Sequence, residues 1–212
     1  MKVLKIIAAA VAVLSVSLAR AESEFTLYTG VQSSPDSTVH GVTSDFTAKW
    51  DGLSTTTPIY AGWRYTNWQD DEWGYAINYT HSKAAASSAT LASAGYKVLE
   101  FTDGANPLTF IAMRRFEAIS SGIRPYVGAG VGISFPHVEE LRTTGTVETG
   151  GYQYGGPVVT ALAGFSFPMN DKWSIISEYQ FHYLKLDTRV EGGRLKTNLI
   201  NNAINIGVGY RF

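Results

Sequence analysis

Four histidines and a scatter of carboxylates are the residues of this chain best suited to chemistry. The histidines are His40, His81, His137 and His182, and the carboxylates near them in the pattern described below are Asp36, Glu100, Asp103, Glu139 and Glu178. Imidazole with carboxylate is the ligand set of a first-row transition metal, and equally the usual general acid-base pair. His81, Glu100, Asp103, His137, Glu178 and His182 form the candidate catalytic set, with His137, Glu139 and Glu178 as candidate metal ligands. No linear metal motif of the H-E-x-x-H kind is present, nor a G-x-S-x-G elbow. His81 and Ser82 do not make a hydrolase pair, because adjacent residues of a strand face opposite ways. Two readings stand at this point: a convergent site, or four separate histidines in polar loops. Several His and carboxylate side chains within about 5 Å of one point would mark a site.

The elements that must position these residues are strands. Period-two alternation recurs along the chain, most clearly at its end. Ile200, Asn202, Ile204, Ile206, Val208, Tyr210 and Phe212 share one face; Asn201, Ala203, Asn205, Gly207, Gly209 and Arg211 share the other. An apolar outer face with a small, polar inner face describes a lipid-exposed barrel strand. Trp173 to Tyr183 repeats the pattern, with aromatics near both ends. Eight such segments are expected, near 24–32, 57–67, 72–83, 100–116, 124–136, 157–168, 172–185 and 197–212. Short connections (69–71, 117–123, 169–171) alternate strictly with long ones (33–56, 84–99, 137–156, 186–196). The expected fold is all-β, an eight-stranded antiparallel transmembrane β-barrel. Asp45 to Asp51 reads as a hairpin arm in the first long loop, and ten strands are the alternative. Short turns belong on the periplasmic side, so both termini are expected there and the histidines near the outer rim.

Projected inward, the alternation gives Tyr28, Gln32, Arg64, Asn78, Thr80, Arg115, Glu178, Gln180, His182, Asn201, Asn205 and Arg211. Eight strands leave room for side chains only, so these charges must pair. Gly128, Gly130 and Gly132 read as inward glycines making room for bulky neighbours, not as a nucleotide loop. Lys83, Lys185, Arg142 and Arg189 are cations that the outer rim would offer to lipid phosphates.

Composition agrees with a barrel. Charged residues make up 17%, the net charge is -1 and there is no Cys. The charge balance argues against nucleic acid as a partner, and the missing Cys excludes disulfides and thiolate chemistry. Lys2 and Lys5, an apolar run from Ile6 to Leu18 and Ala19-Arg20-Ala21 read as a secretory signal peptide cut after Ala21. The domains are then 1–21, a cleaved signal, and 22–212, an outer-membrane barrel. The terminal Phe212 is similar to the signal read by the barrel-assembly machinery.

Several segments together resemble one family. They are Leu99 to Gly104 (LEFTDG), Pro125 to Gly128 followed by Pro136 to Glu139, Tyr152-Gln153-Tyr154 before Gly156-Pro157, Asn170 to Ser174 with Glu178-Tyr179, and Asn202 to Asn205. In that order they resemble the rhizobial outer-membrane lipid A oxidases over nearly the whole mature chain. The resemblance implies a monomeric enzyme of the Gram-negative outer membrane that takes lipid A, or lipopolysaccharide, from the outer leaflet. It implies oxidation of the proximal glucosamine to 2-aminogluconate with O2 and release of hydrogen peroxide. A divalent transition metal fits that chemistry as a cofactor. The family's first-loop PHS is Pro35-Asp36-Ser37 here, with His40 further on. A non-enzymatic small barrel, structural or passing small molecules, is the alternative function.

Overall fold

The computed structural model describes residues 22–101, 103–119, 122–145 and 150–212. The expected signal segment lies outside them. Among the described residues, fourteen strands run in chain order: β1 (Glu22–Ser33), β2 (Ser37–His40), β3 (Asp45–Ala48), β4 (Trp50–Asp51), β5 (Ala61–Trp68), β6 (Trp73–His81), β7 (Ala84–Ala86), β8 (Tyr96–Phe101), β9 (Pro107–Arg115), β10 (Arg124–Ser134), β11 (Glu139–Arg142), β12 (Gly156–Pro168), β13 (Trp173–Val190) and β14 (Gly193–Arg211). One short helix, α1 (Ser88–Ala94), lies between β7 and β8.

Eight strands close the barrel in the order β1-β5-β6-β9-β10-β12-β13-β14, and β14 returns to β1. All of these pairings are antiparallel. Closure satisfies every strand edge, which lipid requires. The ten-strand alternative is half present: β2 and β3 extend the sheet beyond β14, but they stand outside the closure.

Alternation sets what faces where. Along β13 the buried residues are Ser174, Ile176, Glu178, Gln180, His182, Leu184, Leu186, Thr188 and Val190. Outside, Leu27, Ile77, Phe110, Val131, Ile204 and Ile206 are exposed, the apolar band of a lipid-facing wall. Of the residues projected inward, all but Arg211 are buried.

The two ends of the barrel differ. One end, the turn end, carries the short turns and both ends of the described chain. Trp68, Ala76, Ile111, Met113, Tyr126 and Leu162 fill the lumen there. Gly128 is an inward residue of this layer, and a Cβ on it would run into Met113, Ile111 and Leu162. At the other end, the cap end, the long connections fold into a second sheet in the order β11-β8-β7-β4. An apolar core including Val39, Trp50, Leu99, Phe101, Leu184 and Leu199 joins that sheet to the upper barrel. Burying a Leu or Phe removes about 1.5–3 kcal/mol of unfavourable exposure, so this core fastens the cap sheet to the barrel.

Two expected segments differ from the observed ones. The strand expected over 100–116 is two elements, because Gly104 and Asn106 adopt positive φ (94° and 48°) and Pro107 follows. β8 therefore leaves the barrel wall for the cap sheet, and β9 starts at Pro107. The long loop expected over 186–196 is instead a continued ladder. β13 and β14 stay paired as far as Val190 and Gly193, and Glu191-Gly192 makes the turn with Gly192 at φ 77°.

Candidate functional site

The candidate residues separate into a group on the outer face of the cap end and a group in the lumen. Parity decides which is which. In β10 and the segment after it, Ser134, Val138 and Glu140 are buried, while Val131, Ile133 and Phe135 are exposed. His137 and Glu139 continue the exposed parity, so they point away from the lumen axis. Glu100 is the Cα partner of Glu139 across β8 and β11, while its neighbours Leu99 and Phe101 enter the cap core.

Asp103, His137 and Glu139 converge. One ligand atom from each lies within 4.8 Å of the other two. His137 Nδ1 stands 3.4 Å from Glu139 Oε1 and 3.7 Å from Asp103 Oδ2. It is a buried nitrogen with no hydrogen-bond partner among the described residues. The backbone holds the group: His137 N donates to Gly104 O at 2.9 Å, and His137 forms a β-bridge with Tyr152. The Tyr152 ring meets the imidazole edge-on at 4.8 Å and is itself exposed.

Asn106, which sequence reasoning missed, organises this corner. Its Nδ2 donates to the carbonyls of Asp103 (2.8 Å), Gly104 (3.1 Å) and Phe135 (3.1 Å). Its Oδ1 accepts from Tyr79 OH at 3.0 Å and lies 3.1 Å from His81 Nδ1. The signal was present: Asn is among the few residues that accept positive φ, and it sits directly before a proline. His81 is thereby fixed beside Asp103 and Gly104, with its Nε2 buried and unpartnered among the described residues.

Glu178 and His182 do not join them. Glu178 takes two hydrogen bonds from Arg64, at 2.6 and 2.7 Å, and a third from Tyr126 OH at 2.9 Å. His182 Nδ1 is 2.7 Å from Thr160 Oγ1 and its Nε2 is 3.2 Å from Thr80 Oγ1, so both ring nitrogens are engaged. Both residues belong to a polar layer between the two apolar ones. Glu178, expected as a ligand beside His137 and Glu139, is replaced there by Asp103. His40 stands apart on the β2–β3 hairpin, 2.7 Å from Asp45 and exposed.

The expected rim cations also divide. Lys83 is buried, and its Nζ donates to Thr56 O at 2.9 Å. Burial pulls its ammonium below the ordinary lysine value, against the pull of Glu100 and Asp103 in the other direction. Arg142 lies against Glu140 and Glu191, at 3.2 and 3.7 Å. Lys185 and Arg189 alone of the four point outward from the sheet.

The donor set of the outward group, one imidazole nitrogen and two carboxylates, suits a divalent first-row ion, and the unpartnered Nδ1 of His137 is free to ligate one.

No curated protein matches the chain. Among solved structures it is similar to Neisserial surface protein A, at 13% identity over 91% of this chain and 97% of that one, with a TM-score of 0.50. OprG from Pseudomonas aeruginosa is 16% identical over 91% and 94%, with a TM-score of 0.48. The outer membrane protein AlkL is 13% identical over 91% and 89%, with a TM-score of 0.49. These likenesses are of fold. Residues 6–212 match the profile of the outer membrane protein beta-barrel domain, and the chain belongs to that family.

Proposed function

We propose that the chain is an oxidase of lipid A that works from the outward-facing group at the cap end. The observation that carries this reading is the convergence of Asp103, His137 and Glu139 on the outer face of the cap end, beside the exposed Tyr152. A headgroup in the surrounding leaflet reaches that face without entering the lumen. Long connections lie at the cell surface in barrels of this kind, which puts the cap end outside and both termini in the periplasm. The signal is then removed after Ala21.

The reaction supported by the family resemblance is oxidation of the proximal glucosamine to 2-aminogluconate. The anomeric carbon gives up two electrons and, with its hydroxyl, two protons. O2 takes them and leaves as hydrogen peroxide, and water opens the resulting lactone to the acid, for a net gain of one oxygen. A divalent ion held by Asp103, His137 and Glu139 supplies Lewis acidity and redox capacity when bound. In this reading His81, oriented by Asn106, and Glu100, the cross-strand partner of Glu139, accept the hydroxyl proton. Tyr79, which donates to Asn106, and the exposed Tyr152, edge-on to His137, are the aromatic residues of this corner.

Lipid A from cells with and without the gene, compared by mass spectrometry, tests this. A gain of one oxygen on the proximal unit is expected only with the gene, and identical spectra would exclude the activity. The filled lumen disfavours the small-molecule channel. The wall's interior is occupied by the Arg64–Glu178 layer and closed above by the apolar cap.

A further inference from the structure

The β13–β14 hairpin carries a second outward surface that the oxidase reading leaves unused. Its register is continuous, so cross-strand neighbours are fixed. Tyr183 faces Ile200, Lys185 faces Asn198, Asp187 faces Lys196 and Arg189 faces Arg194. The wall therefore changes from aromatic and apolar to charged between two successive outward rungs. Lys185 stands roughly 7 Å beyond Tyr183 and Arg189 roughly 20 Å beyond it, at strand rise. Aromatics such as Tyr183 mark a membrane interface, so the charged rungs begin at headgroup height.

The charges do not balance there. Lys185, Arg189, Arg194 and Lys196 share the paired rungs with one carboxylate, Asp187; Glu191 in the turn lies against Arg142, and Asp45, two strands away, lies against His40. Asp187 is taken by Arg194 at 2.6 Å and Lys196 at 3.7 Å. Lys185 and Arg189 have no ion-pair partner among the described residues. Arg189 and Arg194 are direct cross-strand partners; Asp187 neutralises Arg194, which leaves Arg189 as the guanidinium with no carboxylate on it among the described residues. The whole chain has a net charge of -1, so this local excess of cations is not a reflection of composition.

We infer that the Lys185–Arg189–Arg194–Lys196 face binds the anionic saccharide headgroup of an outer-leaflet glycolipid, through its phosphate or carboxylate groups. Guanidinium pairs take such groups by two parallel hydrogen bonds. The inference rests on the orientation given under the proposed function and deepens it, because the face adjoins the outward group. Arg189 N donates to Gln153 Oε1 at 2.7 Å, and Gln153 Nε2 donates to Arg189 O at 3.0 Å. Asp187 N donates to Gly155 O at 2.7 Å. Gln153 follows Tyr152, which bridges to His137. One headgroup gripped by the arginines thus lies beside the acid-histidine group, across the exposed Tyr152 and Tyr154.

The test uses the full-length barrel in phosphatidylcholine nanodiscs, doped with lipid A that carries only the distal phosphate, its anomeric hydroxyl free as the oxidation requires, or with the fully dephosphorylated form. Native mass spectrometry reads the bound lipid. The wild type should retain the monophosphorylated form at least about tenfold over the dephosphorylated form. Arg189→Glu/Arg194→Glu should abolish that preference, because roughly fivefold per cation over two cations is about 25-fold. His137→Ala should keep it whether or not the chain is an oxidase, which separates this inference from that one. Arg189→Gln/Arg194→Gln, without charge reversal, serves if the Glu variant does not fold. No preference in the wild type, or full preference in both double variants, overturns the inference. So does retention on a soluble sulfated polysaccharide with no discrimination between the two lipids.

Discussion

Arg64 and Glu178 meet side-on in the lumen, with Nη1 2.7 Å from Oε2 and Nη2 2.6 Å from Oε1. Arg64 Nε also donates to Asn78 Oδ1 at 3.1 Å, so three guanidinium donors are engaged by β6 and β13 from a strand that touches only one of them. The pair ties together walls that are far apart in the sheet order.

Removing one partner leaves the other charge buried. Glu178→Ala and Arg64→Ala are each expected to destabilise the barrel by about 3–5 kcal/mol. Replacing both, as Arg64→Met with Glu178→Leu, should recover most of that loss. Urea unfolding in lipid vesicles reads the cycle, and single variants as stable as the wild type would show that the pair contributes nothing.

His137 lies outside this layer, so its removal should separate chemistry from folding. His137→Ala is expected to bind Mn2+ or Co2+ at least tenfold more weakly and to lower lipid A oxidation by about a hundredfold. Urea stability should stay within about 0.5 kcal/mol of wild type. Chelation followed by added metal should reproduce the loss and the recovery in the wild type. Unchanged metal binding in the variant would remove His137 from the site.

Asn106 acts through position. Asn106→Ala deletes three donated bonds and the acceptor for Tyr79 and His81, and leaves a Cβ at φ 48°. A local loss of roughly 1–3 kcal/mol is expected, read as faster amide exchange over 103–107 and a shifted His81 ring signal by NMR. An unshifted His81 would mean that Asn106 does not orient it.

The turns offer a comparison built into the chain. Asp70 Oδ1 accepts from the amides of Glu72 and Trp73 at 2.8 and 2.6 Å. Asn170 Oδ1 accepts from Lys172 and Trp173, both at 2.9 Å. The amides of Trp73 and Glu72 hold the Asp70 carboxyl below its ordinary value. A carboxylate depressed by folding stabilises above its unfolded pKa, and that contribution disappears as pH falls through the folded one. Acidification below the usual carboxylate range should therefore quicken amide exchange at Glu72 and Trp73, and leave Lys172 and Trp173 unaffected. Asp70→Asn should abolish the difference, and equal responses of both turns would refute it.

The barrel was legible because period two is written in every wall strand. Tyr28, Arg64, Glu178 and Asn201 are assigned inward by parity alone, and the structure has them there. The cap was not legible in the same way. β4, β7 and β11 are two to four residues long, too short to show a period, and they pair with partners far away in the chain. The grouping of Asp103 with His137 depends on the chain leaving the wall at Gly104–Asn106, which two positive φ values decide. Parity did contain one unused clue. Glu178 is inward on β13 while His137 continues the outward parity of β10, so the two were never able to share an ion.

The unbroken ladder from Trp173↔Tyr210 to Val190↔Gly193 makes the last hairpin a graduated scale. Its outward residues on β13, every second position from Trp173 to Arg189, are spaced about 6.6 Å apart along one continuous ribbon. Spin labels placed on them in turn would read a profile of accessibility to oxygen and to water-soluble relaxants. The rung where the profile inverts locates the surface of the surrounding lipid against the protein's own numbering.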